Sequence, residues 1–222
     1  MAVKYKWERF DPEKLSPHNI DRQALDYVPY KSVVLDVGCA TGFMGAYLKQ
    51  KKQCQVYGVE FRPEEIHIAQ NKLDGVIKGD IVDSKIIKSI LHKTKYKKFD
   101  VILATSVIEH VTDTSQALKN MLKILKPNGL LIMSTPNIAH WSIRWNLLLG
   151  KFEYIDYGIL DNTHLHFFTT DSFRKLLLAE GLKIDQFLID AEGGGYPRIS
   201  LVLAKIWPKV FAYQMLIVAK KS

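Results

Sequence analysis

At 222 residues and 47% hydrophobic content, the chain is long enough for one substantial core and too apolar for a disordered tract. Its two cysteines, Cys39 and Cys54, have no metal-ligand spacing, no signal pattern precedes Asp11, and the run Met215 to Ala219 is too short to span a bilayer, so a reduced cytoplasmic protein is expected. The net charge of +8 does not by itself mark a nucleic-acid binder, because Lys93 to Lys98 precede a strand and Lys119, Lys123 and Lys126 fall on the solvent face of an amphipathic helix.

In chain order, residues 1–31 read as a mainly helical lead-in, with Asp21 as the cap before Gln23-Ala24-Leu25. Strands and helices then alternate: strand 33–37, helix 43–52, strand 55–59, helix 63–72, strand 76–79, helix 84–92, strand 99–104 and helix 115–126. Pro127-Asn128-Gly129 stops that helix and starts strand 130–134. A Trp/Leu-rich helix over 137–150 leads into an aromatic, His-rich loop over 151–168. Helix 171–180 closes at Gly181, strand 182–189 follows, then a Gly193-Gly194-Gly195 turn, an amphipathic segment over 199–209 and strand 212–219. This order predicts an α/β fold: a Rossmann-like, doubly wound, mostly parallel sheet with an antiparallel edge strand and helices on both faces. Trp141, Trp145, Leu148 and Leu149 form a stripe read as buried, with a lid or a membrane-facing surface as the alternatives.

The turn after the first strand, Val33-Val34-Leu35-Asp36-Val37-Gly38-Cys39-Ala40-Thr41-Gly42, has the strand-to-helix form that holds a nucleotide-like ligand. It lacks the Lys-Ser/Thr pair of a phosphate loop. Its first, third and sixth dinucleotide positions are Gly38, Ala40 and Phe43, so the pyrophosphate register fails, and Asp36 would repel a phosphate. A ligand with a positive centre and no phosphate fits, and S-adenosyl-L-methionine is one. Glu60 ends the second strand, where a carboxylate can accept the vicinal hydroxyls of a ribose, and Asp80 ends the third, where one could accept an adenine amino group. The fourth strand, from Phe99-Asp100, runs into a turn carrying Thr105-Ser106 and then Glu109-His110-Val111.

With these residues in order, together with Leu125-Lys126-Pro127-Asn128-Gly129-Leu130, the chain resembles the class I S-adenosylmethionine-dependent methyltransferases over roughly residues 30–135. The resemblance implies that Asp36 and Gly38 border the methionine part of S-adenosyl-L-methionine, with Cys39, Ala40 and Gly42 of the same loop also cofactor-binding. By the same likeness Glu60 holds the ribose, Phe61 lies along the adenine, Asp80 and Ile81 read its edge, and Ser106 sits below the reacting centre. Ala40 stands where glycine is common, which fits if its φ is negative. In some quinone-pathway O-methyltransferases a Glu-His pair like Glu109-His110 lies near substrate or metal, which makes His110 a catalytic candidate. The blocks Gly150 to Tyr154, Gly158 to Asp161 and Thr163 to Thr169 resemble methyltransferase-like proteins associated with bacterial polysaccharide or glycan assembly.

His164 and His166 alternate in an extended stretch and so point the same way, either as a general base for the acceptor or as packing residues. No third ligand is close to them in sequence, so no metal is expected. The resulting expectation is a single methyltransferase domain over 1–222, with lead-in 1–31, cofactor-binding core 32–135, acceptor-side insertion and lid 136–200, and closing helix and strand 201–222. The acceptor is a small molecule or glycan methylated on oxygen. Nucleic acid is not a partner, and weak association with a membrane surface is the alternative use of the basic charge. Two other readings are a quinone-type O-methyltransferase and a non-catalytic adenosylmethionine-binding or partner subunit. A reductase or epimerase is disfavoured, since the Tyr-x-x-x-Lys pairs Tyr27/Lys31 and Tyr47/Lys51 flank the first strand and its helix.

Overall fold

A computed structural model describes residues 10–191 and 197–221. Seven strands among them form one sheet: β1 (Val33–Val37), β2 (Gln55–Glu60), β3 (Gly75–Lys78), β4 (Phe99–Thr105), β5 (Leu125–Pro136), β6 (Leu182–Asp190) and β7 (Gln214–Lys221). Their order is β3-β2-β1-β4-β5-β7-β6. The pairs β3-β2, β2-β1, β1-β4 and β4-β5 are parallel. β7 runs antiparallel to both β5 and β6, so the antiparallel strand is slotted inside the edge and β6 forms the edge itself.

Period-two alternation sorts the strand side chains onto two faces. Val34, Val56, Val101, Leu103 and Ile132 pack beneath α1 (Ile20–Asp26), α2 (Phe43–Lys52) and α3 (Pro63–Ala69). Leu35, Tyr57, Ile77, Ile102 and Leu131 pack beneath α4 (Ile86–Lys93), α5 (Thr114–Ile124) and α7 (Thr170–Ala179). The same parity puts Asp36 on the Val34 face, the side that α1 covers.

Several local expectations change. The cap of α1 is Asn19, whose Oδ1 accepts from Asp21 N and Arg22 N, so Asp21 lies in the first turn. The short Asx reach from Asn19 satisfies two amides that Asp21 cannot reach from inside the helix. The helix expected over 137–150 is shorter, α6 (Trp141–Leu148), because His140 caps it at Ser142 N. Its stripe is not buried: Trp145 is 57% and Leu148 75% exposed, and Ile143 is the buried residue of this helix. The segment expected over 199–209 is two helices, α8 (Pro197–Ile206) and α9 (Pro208–Phe211), broken at Pro208. The expected turn at Gly193-Gly194-Gly195 lies outside the described residues. Among the described residues no helix is long and apolar enough to cross a membrane.

Candidate active site

β1 ends at Val37, and the chain turns through Gly38 at φ +68°, where an added Cβ would stand 2.6 Å from Val107 Cγ2. Gly38 N and Cys39 N both donate to Val59 O, at 2.8 and 3.2 Å. Gly42, at φ +73°, opens α2. Ala40 has φ +46°, not the negative value its side chain favours. The turn holds this left-handed residue because Ala40 N donates to Glu60 Oε2 at 3.0 Å.

Glu60 is buried and knits two segments together. Its Oε1 accepts from Phe61 N (2.8 Å) and Arg62 N (3.1 Å), so with Ala40 N three amide donors use most of its roughly four lone-pair sites. Room remains for about one further donor, rather than the two hydroxyls expected. Asp80 Oδ1 accepts from Val82 N at 2.9 Å. Asp36 is buried, and its carboxyl is pushed up to about 8 by that burial, with Glu60 and Asp21 adding repulsion. Burial and Asp190 likewise raise Asp21 to about 6. Among the described residues none of Asp36, Glu60 and Asp80 has a Lys or Arg within ion-pair distance.

A cavity of about 490 Å³ opens over the carboxyl ends of β1 to β4, in the crevice where the strand order reverses between β1 and β4. Gly38, Ala40, Glu60, Phe61, Asp80, Ile81 and Ser106 line it, as expected from the sequence. Asp36, Cys39 and Gly42 do not. Asp36 lies beneath the wall, Cys39 Sγ packs against Gly58, and Gly42 faces Ala69 and Leu73. Phe61 is 60% exposed and carries the Arg62 guanidinium 5.3 Å from its ring centre. Arg62 in turn pairs with Glu65 at 3.3 Å. Ser106 sits at φ +52°, its amide held by Ser134 O (3.1 Å) and Ser134 Oγ (3.0 Å). Such strain at a strand end is common where a ligand is met.

The far wall is His110 and Thr163. His110 Nδ1 lies 3.1 Å from Thr163 O, and its ring meets that of His164 edge to face at 4.7 Å. His164 Nδ1 lies 3.0 Å from Ile159 O. His166 turns to Phe168, with Nε2 buried and unpartnered, so the two alternate histidines do not share a direction. The chain over 162–167 is not an extended strand, and Leu165 N and His166 N both fold back onto Glu109 O (2.8 and 3.0 Å). Glu109 itself is 1% exposed, with neither side-chain oxygen hydrogen-bonded, and burial pushes its carboxyl up to about 8.

Sequence reasoning missed Arg62 and Val107, which adjoin the expected Phe61 and Ser106, and Glu65, which the first turn of α3 brings to the wall. Thr163 was visible only as part of a block.

A family model described as methyltransferase domain matches residues 7–186. The ubiquinone biosynthesis O-methyltransferase of Bradyrhizobium diazoefficiens is 33% identical over 155 residues, 69% of this chain and 59% of that protein. The protein of the same name from Bartonella bacilliformis is 29% identical over 167 residues, 74% of this chain and 65% of that one. The chain thus spans less than two thirds of the length of these relatives. A SAM dependent methyltransferase from Archaeoglobus fulgidus shares the fold, with a TM-score of 0.63 at 20% identity over 91% of this chain and 93% of that one. Since the family model takes in the loop, the three strand-end carboxyls and the His-rich segment together, the chain belongs to the methyltransferase domain family.

Proposed function

We propose that the protein transfers a methyl group from S-adenosyl-L-methionine to an oxygen of a small-molecule acceptor. The observation that carries this reading is that Glu60 and Asp80 line one cavity with Asp36 buried beneath its wall, none of the three paired with a lysine or arginine among the described residues. Burial and then the neighbouring Glu60 hold the Asp36 carboxyl up, and a cationic ligand relieves that crowding of acidic groups where a phosphate would add to it. When bound, adenosylmethionine supplies an electrophilic methyl group on a sulfonium.

In this assignment Asp36 faces the ligand's ammonium from beneath Gly38 and Ala40. The open lone pair of Glu60 accepts a ribose hydroxyl, Phe61 lies along the base, and Asp80 with the Ile81 backbone reads its edge. Ser106 borders the reacting centre. Cys39 and Gly42 support the loop by packing. His110 and Thr163 are the polar groups on the acceptor side, with His164 behind His110 and His166 bracing the loop through its amide. Positioning alone supplies about 7–11 kcal/mol, against roughly 3–5 kcal/mol for a general base, so alignment in this cavity carries most of the rate.

The names of the relatives support a hydroxylated, quinol-like acceptor, and a glycan hydroxyl is the second class. The exposed α6 stripe beside Arg144 and Lys151 supports weak association with an anionic membrane face, where a lipid-linked acceptor would be met. Buried, free Cys39 and Cys54 support a reducing, cytoplasmic setting. Calorimetry with adenosylmethionine and its demethylated product should give low-micromolar or tighter binding (about −8 kcal/mol). A labelled-methyl screen over quinols, nucleotide sugars and lipid-linked glycans then identifies the acceptor. Absence of binding by both ligands overturns the assignment.

A further inference from the structure

We propose that Asp161 and Thr163 are positioning residues that hold His110 as the proton acceptor for the acceptor hydroxyl, an inference that rests on the methyl transfer proposed above. The three side chains form one hydrogen-bonded chain from the interior of the loop to the cavity wall. Asp161 is 3% exposed, and its Oδ1 accepts from Thr163 N at 2.9 Å and from Thr163 Oγ1 at 2.6 Å. Thr163 Oγ1 and Thr163 O each lie 3.1 Å from His110 Nδ1. His110 and Thr163 both line the cavity.

The donor in each bond follows from the groups themselves. A carboxylate only accepts, so the Thr163 hydroxyl spends its one proton on Asp161. Its oxygen then offers His110 lone pairs alone, and the Thr163 carbonyl likewise can only accept. His110 Nδ1 must therefore carry the ring proton, and in the neutral ring Nε2 is the basic nitrogen. The plane of the ring is set as well. His164 meets it edge to face at 4.7 Å, and His164 Nδ1, 3.0 Å from Ile159 O, is committed to the same loop. Burial pushes the neighbouring Glu109 up to about 8, with Asp161 adding repulsion, so near neutrality Asp161 is the charged carboxyl linked to this ring.

In the transfer, the acceptor hydroxyl gives its proton to His110 Nε2 while a lone pair of its oxygen forms the new bond to the methyl carbon. The electron pair of the bond that breaks stays on sulfur, which becomes neutral. The positive charge arriving on the imidazole is met at Nδ1–H by the two oxygens of Thr163 and, one bond further, by the Asp161 carboxylate. A carboxylate set behind an imidazole in this way fixes its tautomer and stabilises the imidazolium without itself taking the proton. Asp161 touches neither reactant, so its part is to position. The sequence hides the chain because Thr163 stands 53 residues from His110 and reaches it only through the fold.

The test reads the imidazole nitrogen and proton resonances of the full chain bound to the demethylated cofactor, with His110 assigned by its loss in His110→Gln. The expected result is a neutral His110 protonated at Nδ1, with that proton shifted downfield by its hydrogen bonds. Asp161→Asn and Thr163→Val each move the proton upfield, while Thr163→Ser, which keeps the hydroxyl, restores the original position. With the acceptor found in the methyl screen, Asp161→Asn lowers kcat by about tenfold or more at nearly constant KM, the split expected when a proton acceptor is weakened and binding is not. Binding of the demethylated cofactor by each variant reports that the fold persists. Protonation at Nε2, an Nδ1 proton unmoved by Asp161→Asn and Thr163→Val, or an unchanged kcat overturns the positioning role and leaves the methyltransferase reading standing. Failure of the unaltered chain to bind the cofactor overturns that reading instead.

Discussion

Asp36→Asn separates the electrostatics of the cofactor loop from its packing. The side chain is buried beneath the Gly38 turn and its carboxyl rises from an ordinary 3.8 to about 8, chiefly through burial and then through Glu60 and Asp21. Between those two values the native chain keeps a proton that the unfolded chain has released. Stability therefore falls as pH rises through that window, by about 1.4 kcal/mol per pH unit. Asparagine mimics the protonated acid and removes the slope. The variant should gain on the unaltered protein by roughly 2–3 kcal/mol between pH 5 and pH 7. Urea denaturation of both proteins at pH 5, 6 and 7, without ligand, measures this. The cofactor behaves in the opposite sense. At pH 7 Asp36 is mostly protonated, so a cation that needs the ionised form expels a proton on binding. Calorimetry in buffers of different ionisation enthalpy reads that proton, and it should vanish in Asp36→Asn along with much of the affinity. Parallel stability curves for the two proteins, or equal proton release by both, would refute the argument.

Glu60→Gln keeps the size of the side chain but replaces an oxygen that accepts amide protons. It should weaken binding of the demethylated cofactor by about 2 kcal/mol, or roughly thirtyfold, in calorimetry. Ala40→Gly relieves a left-handed alanine and should raise stability by up to about 1 kcal/mol, whereas Gly38→Ala meets Val107 and should lose about 2 kcal/mol; denaturant midpoints decide both. Leu148→Ser on the exposed α6 stripe should change stability by less than about 0.5 kcal/mol, while Phe173→Ala in the core should lose about 3–5 kcal/mol in the same assay. Burial lowers His140 to about 4, so below an ordinary 6.5 the unfolded chain takes up a proton that the native chain refuses. Stability should fall between about pH 6.5 and pH 4, and His140→Phe should flatten that limb in thermal melts.

What could be read from the residues alone follows from where the chemistry is local. Alternation within β1, β2 and β4 carries both faces of the sheet, and a glycine turn announces itself because few other residues take φ +68° beside Val107. Glu60 and Asp80 were legible because a strand end fixes where the next side chain stands. The departures share one cause, long-range geometry. Ala40 is left-handed because Glu60, on the neighbouring strand, pulls its amide across. His164 and His166 part because the carbonyl of Glu109 folds their segment back through two amides, and no pattern within 162–167 encodes that partner. The α6 stripe looked like core because helical spacing records only that apolar residues share a face. Whether that face meets protein depends on a second element arriving to cover it, and in α6 the packing against Ile159 and Leu160 reaches Ile143 alone among the residues of the helix. In the proposed assignment the donor residues are legible in the motif because they stand at consecutive strand ends. The proposed acceptor side draws on His110 beside a loop far along the chain that Glu109 O holds, so it becomes readable only once those segments are brought together.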